Sequence, residues 1–158
     1  MTGLCVMERV RSYERDMDRL RLQAAMARDA VTRATRSADA IGHGGGEDRI
    51  AAYTARADAL ARAMDARTDM HEMELSSAAR MIAALDTAQG QAMYHLYILG
   101  QTVRQTAAAM HSTEASVRGL RRRAKDALAG MDAQPGEGYA QAAARYAEAI
   151  SAARGENG

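Results

Sequence analysis

Residues 101–128, QTVRQTAAAMHSTEASVRGLRRRAKDAL, read as two helices joined by a tight turn, the second with an apolar stripe on one side and positive charge on the other. Thr113 is placed to accept a hydrogen bond from the backbone N–H groups that open a helix, with Glu114 and Ser116 in its first turn. A helix is therefore expected from about Glu114. Val117, Leu120, Ala124 and Leu128 recur at steps of three and four and share its inner side, while Arg118, Arg122 and Lys125 fall on the opposite arc. Upstream, Thr102 is the expected N-cap of a shorter helix whose buried side is Val103, Thr106, Ala107 and Met110. Small side chains at Ala107, Ala108 and Ala109 let a second helix cross closely, as a helix-turn-helix requires.

This block resembles region four of bacterial sigma factors and its relatives, where Ile-Ala-x-x-Leu-Gly leads into x-Ser-x-x-Thr-Val. Without a gap, the chain offers Thr106-Ala107-Ala108-Ala109-Met110-His111 and then Ser112-Thr113-Glu114-Ala115-Ser116-Val117. It departs at Thr106, where the family prefers a branched aliphatic residue, and at His111, where it usually has Gly.

Charge is concentrated in the same place. The 158-residue chain carries a net +1, yet residues 101–128 hold six cations (Arg104, Arg118, Arg121, Arg122, Arg123, Lys125) against Glu114 and Asp126, a local +4. The remainder is accordingly acidic by about three charges, the asymmetry expected of a module that touches phosphate. With 47% hydrophobic residues but no Phe or Trp, the apolar content is largely Ala and Met, which favours helices packed closely along their length. Cys5 is the sole cysteine, so no intrachain disulfide forms, and nothing near it in sequence would activate a thiolate. No run approaches the roughly 20 apolar residues of a membrane span, and no signal pattern opens the chain, so a cytoplasmic location is expected.

Before this block, Val6, Val10, Tyr13, Met17, Leu20, Ala24, Ala27 and Val31 alternate steps of four and three, a heptad seam on a helix expected from about Leu4 to Thr35. Its stripe is narrow, so it needs a partner helix. Residues 37–46, rich in Gly, read as a loop. The run Gly42 to Gly46 lacks the preceding strand and Gly-Lys-Ser/Thr ending of a phosphate-cradling loop. A second seam follows on Ile50, Tyr53, Ala57, Leu60 and Met64, then less cleanly on His71, Leu75, Ala78, Ile82 and Leu85, with Arg67 interrupting it as a bend, register shift or exposed end. Residues 4–85 are thus expected to form a long antiparallel, coiled-coil-like hairpin. Pairing of that hairpin with a second copy would cover further apolar surface.

His71-Glu72-Met73-Glu74-Leu75 lacks the second His of a zinc-protease motif, which leaves solvated charge as the expectation and no metal site. Asp86-Thr87-Ala88-Gln89 reads as a helix start, with Met93, Leu96, Tyr97 and Leu99 on the apolar side of a helix ending at Gly100, and Tyr94 and His95 as half-buried packing residues. Together with the block above it gives a three-helix domain at 86–129. Residues 130–158 are a linker and a short amphipathic stripe on Tyr139, Ala143, Tyr146 and Ile150: a fraying helix, a packing element or a docking peptide. The fold class expected is all-α.

Taken in order, the long helix, the loop ending Gly44-Gly45-Gly46-Glu47-Asp48-Arg49-Ile50, the second long helix, residues 85–100 and residues 103–128 resemble small phage-encoded proteins of Gram-positive bacteria, including the autolysin-regulator type of late transcriptional regulators. The resemblance spans roughly residues 6–130 and implies DNA binding and regulation of phage or prophage genes. In that reading the helix from about Glu114 to Leu128 enters the major groove. Glu114, Ala115 and Arg118 lie nearest base edges, Arg121, Arg122 and Lys125 lie mostly on phosphates, and Thr102, Arg104 and Thr113 complete the expected DNA-contacting set. The competing readings are a small-terminase-like DNA-packaging subunit, which would assemble as a ring, and a protein-binding module docking on host RNA polymerase. A homodimer through the hairpin is a further expected partner state. Catalysis has the least support, because no nucleophile–base pair, carboxylate pair or ligand cluster occurs at usable spacing, and no cofactor is expected.

Overall fold

The computed structural model describes residues 1–41 and 46–155, and over these the chain is all-α: α1 (Gly3–Ile41), α2 (Gly46–Ala84), α3 (Thr87–Met93) running into a π-helical turn (Tyr94–Ile98), α4 (Val103–Ala109), α5 (Glu114–Ala129) and α6 (Glu137–Arg154). Of the loop expected at 37–46, residues 42–45 lie outside the described residues. Residues 37–41 continue α1, since neither Gly nor Pro stands before Gly42 to stop it, and Gly46 already opens α2, followed by Glu47 and Asp48 in its first turn. Two compact groupings emerge, one of residues 1–13 with 71–137 and one of residues 14–70 with 138–158. These lines differ from the stretches 4–85, 86–129 and 130–158, because each long helix contributes one end to the first unit and the rest to the second.

In the first unit, Val6, Met7 and Val10 of α1 meet Ala78 and Met81 of α2, Met93, Leu96 and Tyr97, Ala107 of α4, and Val117, Ala124 and Leu128 of α5. The start of α1 comes so close that a Cβ on Gly3 would lie 2.7 Å from Met81 Sδ and 2.9 Å from the Leu128 carbonyl oxygen, which requires glycine there. The Gly3 N–H donates to the Met131 carbonyl and the Ala133 N–H to the Met1 carbonyl, both at 2.9 Å, around a bridge between Thr2 and Asp132. Arg9 Nε donates to Glu74 Oε2 at 2.6 Å, and the Tyr13 and His71 rings stack with centroids 3.7 Å apart. Pairs 9 with 74 and 13 with 71 make this stretch of α1 and α2 antiparallel.

In the second unit, Met17, Leu20, Ala24 and Ala27 are buried on α1 as the heptad seam expects. On α2 the buried stripe is Ala59, Ala63, Ala66 and Met70 beside Ala57 and Leu60. Ile50 and Met64 are only half-buried and Tyr53 is exposed, so the seam expected through them is displaced toward alanines that let the helices approach closely. Arg67 neither ends α2 nor lies exposed. It is 1% exposed, its Nε 3.5 Å from Asp16 Oδ2, and the helix runs through it. Of the C-terminal stripe, Tyr139 is buried while Ala143, Tyr146 and Ile150 are half-buried; α6 packs through Ala142 and Ala149 as well, and Arg145 pairs with Asp69 of α2 at 3.0 Å.

Candidate nucleic-acid interface

Both helices of the 101–128 block start at side-chain caps. Thr102 Oγ1 accepts from the Gln105 N–H at 3.1 Å while Gln105 Oε1 accepts from the Thr102 N–H at 2.9 Å, a full capping box. Thr113 Oγ1 accepts from the Ser116 N–H at 3.1 Å. In each cap the hydroxyl oxygen is an acceptor, so its hydrogen stays available to donate to a phosphate oxygen.

Between them α4 ends in a Schellman arrangement: the Ser112 N–H donates to the Ala107 carbonyl at 2.9 Å and the His111 N–H to the Ala108 carbonyl at 3.2 Å. His111 carries φ +52°, the left-handed conformation that the glycine of the resembled motif would adopt without strain. Thr106 is fully buried at the position where the resembled motif prefers a branched aliphatic residue, and its Oγ1 has no hydrogen-bond partner among the described residues. Ala107 is buried and Val103 and Met110 half-buried, as the pattern requires.

Val117, Leu120, Ala124 and Leu128 form the inner side of α5. Glu114, Ala115, Arg118 and Arg122 are exposed on the outer side, with Arg121 and Lys125 half-buried at its edge, and Thr102, Arg104 and Thr113 are exposed at and before the turn. Arg118, Arg121, Arg122 and Lys125 line one shallow concavity with Ala115, Gly119 and Asp126. Arg118 is held by Glu114 at 3.8 Å and Lys125 lies 4.0 Å from Glu8 of α1. Both are exposed or half-exposed pairs of the kind worth about 0–1 kcal/mol, which a phosphate or a guanine edge readily displaces.

Three contributors escaped the sequence reading. Leu4 lines the concavity and Glu8 pairs with Lys125, both from α1, more than a hundred residues away along the chain, where periodicity carries no signal. Gly119 lies on the outer face in mid-helix, where a Cβ would meet only Arg123 Nη1 at 3.5 Å. Internal packing does not ask for a glycine at a position where it costs about 1 kcal/mol against Ala, and its effect is to keep the surface low between the arginines.

Glu74 is fully buried against Arg9 rather than solvated, and His71 stacks on Tyr13. His95 Nδ1 lies 3.0 Å from Gln101 Oε1, while Tyr94 is exposed rather than half-buried. Among the described residues no group of three or more His, Cys, Asp or Glu is placed to hold a metal ion, and no helix is long and apolar enough to cross a membrane. No family model, curated protein or solved structure matches the chain.

Proposed function

We propose that this chain binds double-stranded DNA, with α5 in the major groove, and regulates transcription of phage or prophage genes. The observation that carries the DNA contact is the outer face of α5, where Arg118, Arg121, Arg122 and Lys125 share one concavity directly after a capped helix start and a tight turn. Arg118, on the first exposed turn beside Ala115, is the base reader, and a guanine edge matches its bidentate guanidinium. Arg121, Arg122 and Lys125 neutralise phosphates along the groove, and Arg104 and the Thr102 hydroxyl reach the backbone from α4. The regulatory role rests on the resemblance of the helix order and motifs to late phage regulators. Host RNA polymerase then becomes a candidate second partner and a homodimer a candidate assembly.

Selection of bound sites from random duplex DNA, followed by mobility shift at several salt concentrations, tests the reading. Arg118→Ala is expected to weaken binding by about 1–3 kcal/mol and relax preference at one base pair. Arg122→Ala is expected to weaken all sequences alike and reduce the salt slope by about one. Unchanged affinity and site preference in Arg118→Ala would overturn the groove assignment. A ring of many subunits by mass measurement would move the protein to the DNA-packaging class.

A further inference from the structure

The second unit holds a cavity of about 480 Å³ between α1, α2 and α6, within the size range of small-molecule sites. Leu20, Leu60 and Ile150 supply apolar surface to it, one from each helix. Arg19, Arg56 and Arg154 supply cations, again one from each helix. The carboxylate on the wall, Asp16, is engaged by the buried Arg67 at 3.5 Å. Arg19 and Arg56 have no ion pair among the described residues. Two such cations on the wall of one cavity, from separate helices, attract an anion that enters it.

We infer that this cavity binds a small organic anion, its charged oxygens on Arg19 and Arg56 and its apolar body against Leu20, Leu60 and Ile150. Tyr146, half-buried on the wall, adds a ring against which a flat body packs and a hydroxyl for a polar substituent. The site belongs to the unit that does not contain α5, and it is independent of the DNA reading.

Fluorescence titration of the full chain with anilinonaphthalene sulfonate, an apolar anion, is the test, with its neutral analogue phenylnaphthylamine as control. Saturable binding at one site per chain is expected, with the neutral dye much weaker. Arg19→Ala and Arg56→Ala each weaken the anionic dye by about tenfold, while Arg28→Ala, an exposed α1 residue that does not line the cavity, leaves it unchanged. Both substituted arginines are exposed, so helicity by circular dichroism should match the parent and exclude unfolding as the cause. Unsaturable binding, equal binding of the neutral dye, or affinities unmoved by the two arginine variants would overturn the site. So would variants that lose DNA affinity and keep dye affinity, since the arginines would then serve a nucleic-acid backbone.

Discussion

His111 holds a left-handed backbone conformation that costs a residue bearing a Cβ about 1–2 kcal/mol. Since glycine also gains freedom in the unfolded chain, His111→Gly is expected to raise stability by only about 0.5–1 kcal/mol, read as an increased urea midpoint without a change in slope. Thr106 is the second residue that departs from the resembled motif, and its cost has a different origin: a buried hydroxyl oxygen without a partner among the described residues. Thr106→Val removes it at nearly constant volume and is expected to stabilise by about 1 kcal/mol in the same assay, whereas an unmoved midpoint would show that the hydroxyl is satisfied. Both departures were legible in the sequence as unusual residues. Their cause was not, because φ and hydroxyl satisfaction are properties of the assembled turn.

At the scale of elements, periodicity located α1, α4 and α5 well because large apolar residues mark their inner faces. It located only part of the α2 seam: Ala57, Leu60 and Ala78 are buried and Leu75, Ile82 and Leu85 pack against the core, but Ala59, Ala63 and Ala66, which carry little hydrophobic contrast, and the buried Arg67, Glu74 and Ser77 were missed. It also placed Leu99 on the apolar side, whereas Leu99 is 49% exposed and Ile98 packs against the core instead. The π turn explains this: with the Leu99 N–H donating to the Tyr94 carbonyl, one extra residue fits into the turn, bringing Ile98 inward and carrying Leu99 out. Glu74 sets the strongest demand on α2. Arg9→Ala would leave that fully buried carboxylate without its 2.6 Å guanidinium contact, and a loss of about 3 kcal/mol is expected in chemical denaturation. The double variant Arg9→Met, Glu74→Leu is expected to recover most of the loss, since an apolar pair needs no desolvated charge. If the double variant were as unstable as the single, the pair would be holding more than its own charges.

At the scale of the whole molecule, the all-α class follows from composition and periodicity, but the grouping into units does not. Residues 138–158 belong with residues 14–70, and a terminal stripe of modest apolar side chains gave no indication of its partner. Removing residues 137–158 takes Tyr139, Ala142 and Ala149 out of the second unit's core and the Arg145–Asp69 pair off its surface. The expected outcome is a loss of about 3 kcal/mol or more, seen as faster amide exchange across residues 14–70 with residues 86–129 still protected. Uniformly faster exchange along the chain would show that the two groupings unfold as one.

The pairing of residues 1–3 with 131–133 bears on how the protein is made. Val6, Met7 and Val10 are synthesised before the partners that cover them, which lie on α2 and beyond, and the strap that fixes Gly3 is complete only once Ala133 has been added. At about 5–20 residues per second, the ribosome needs roughly 6–24 s to cover that distance. Until then the cover over that apolar segment is incomplete, so elongation speed, as well as the free energy of the finished fold, bears on the yield of folded chain.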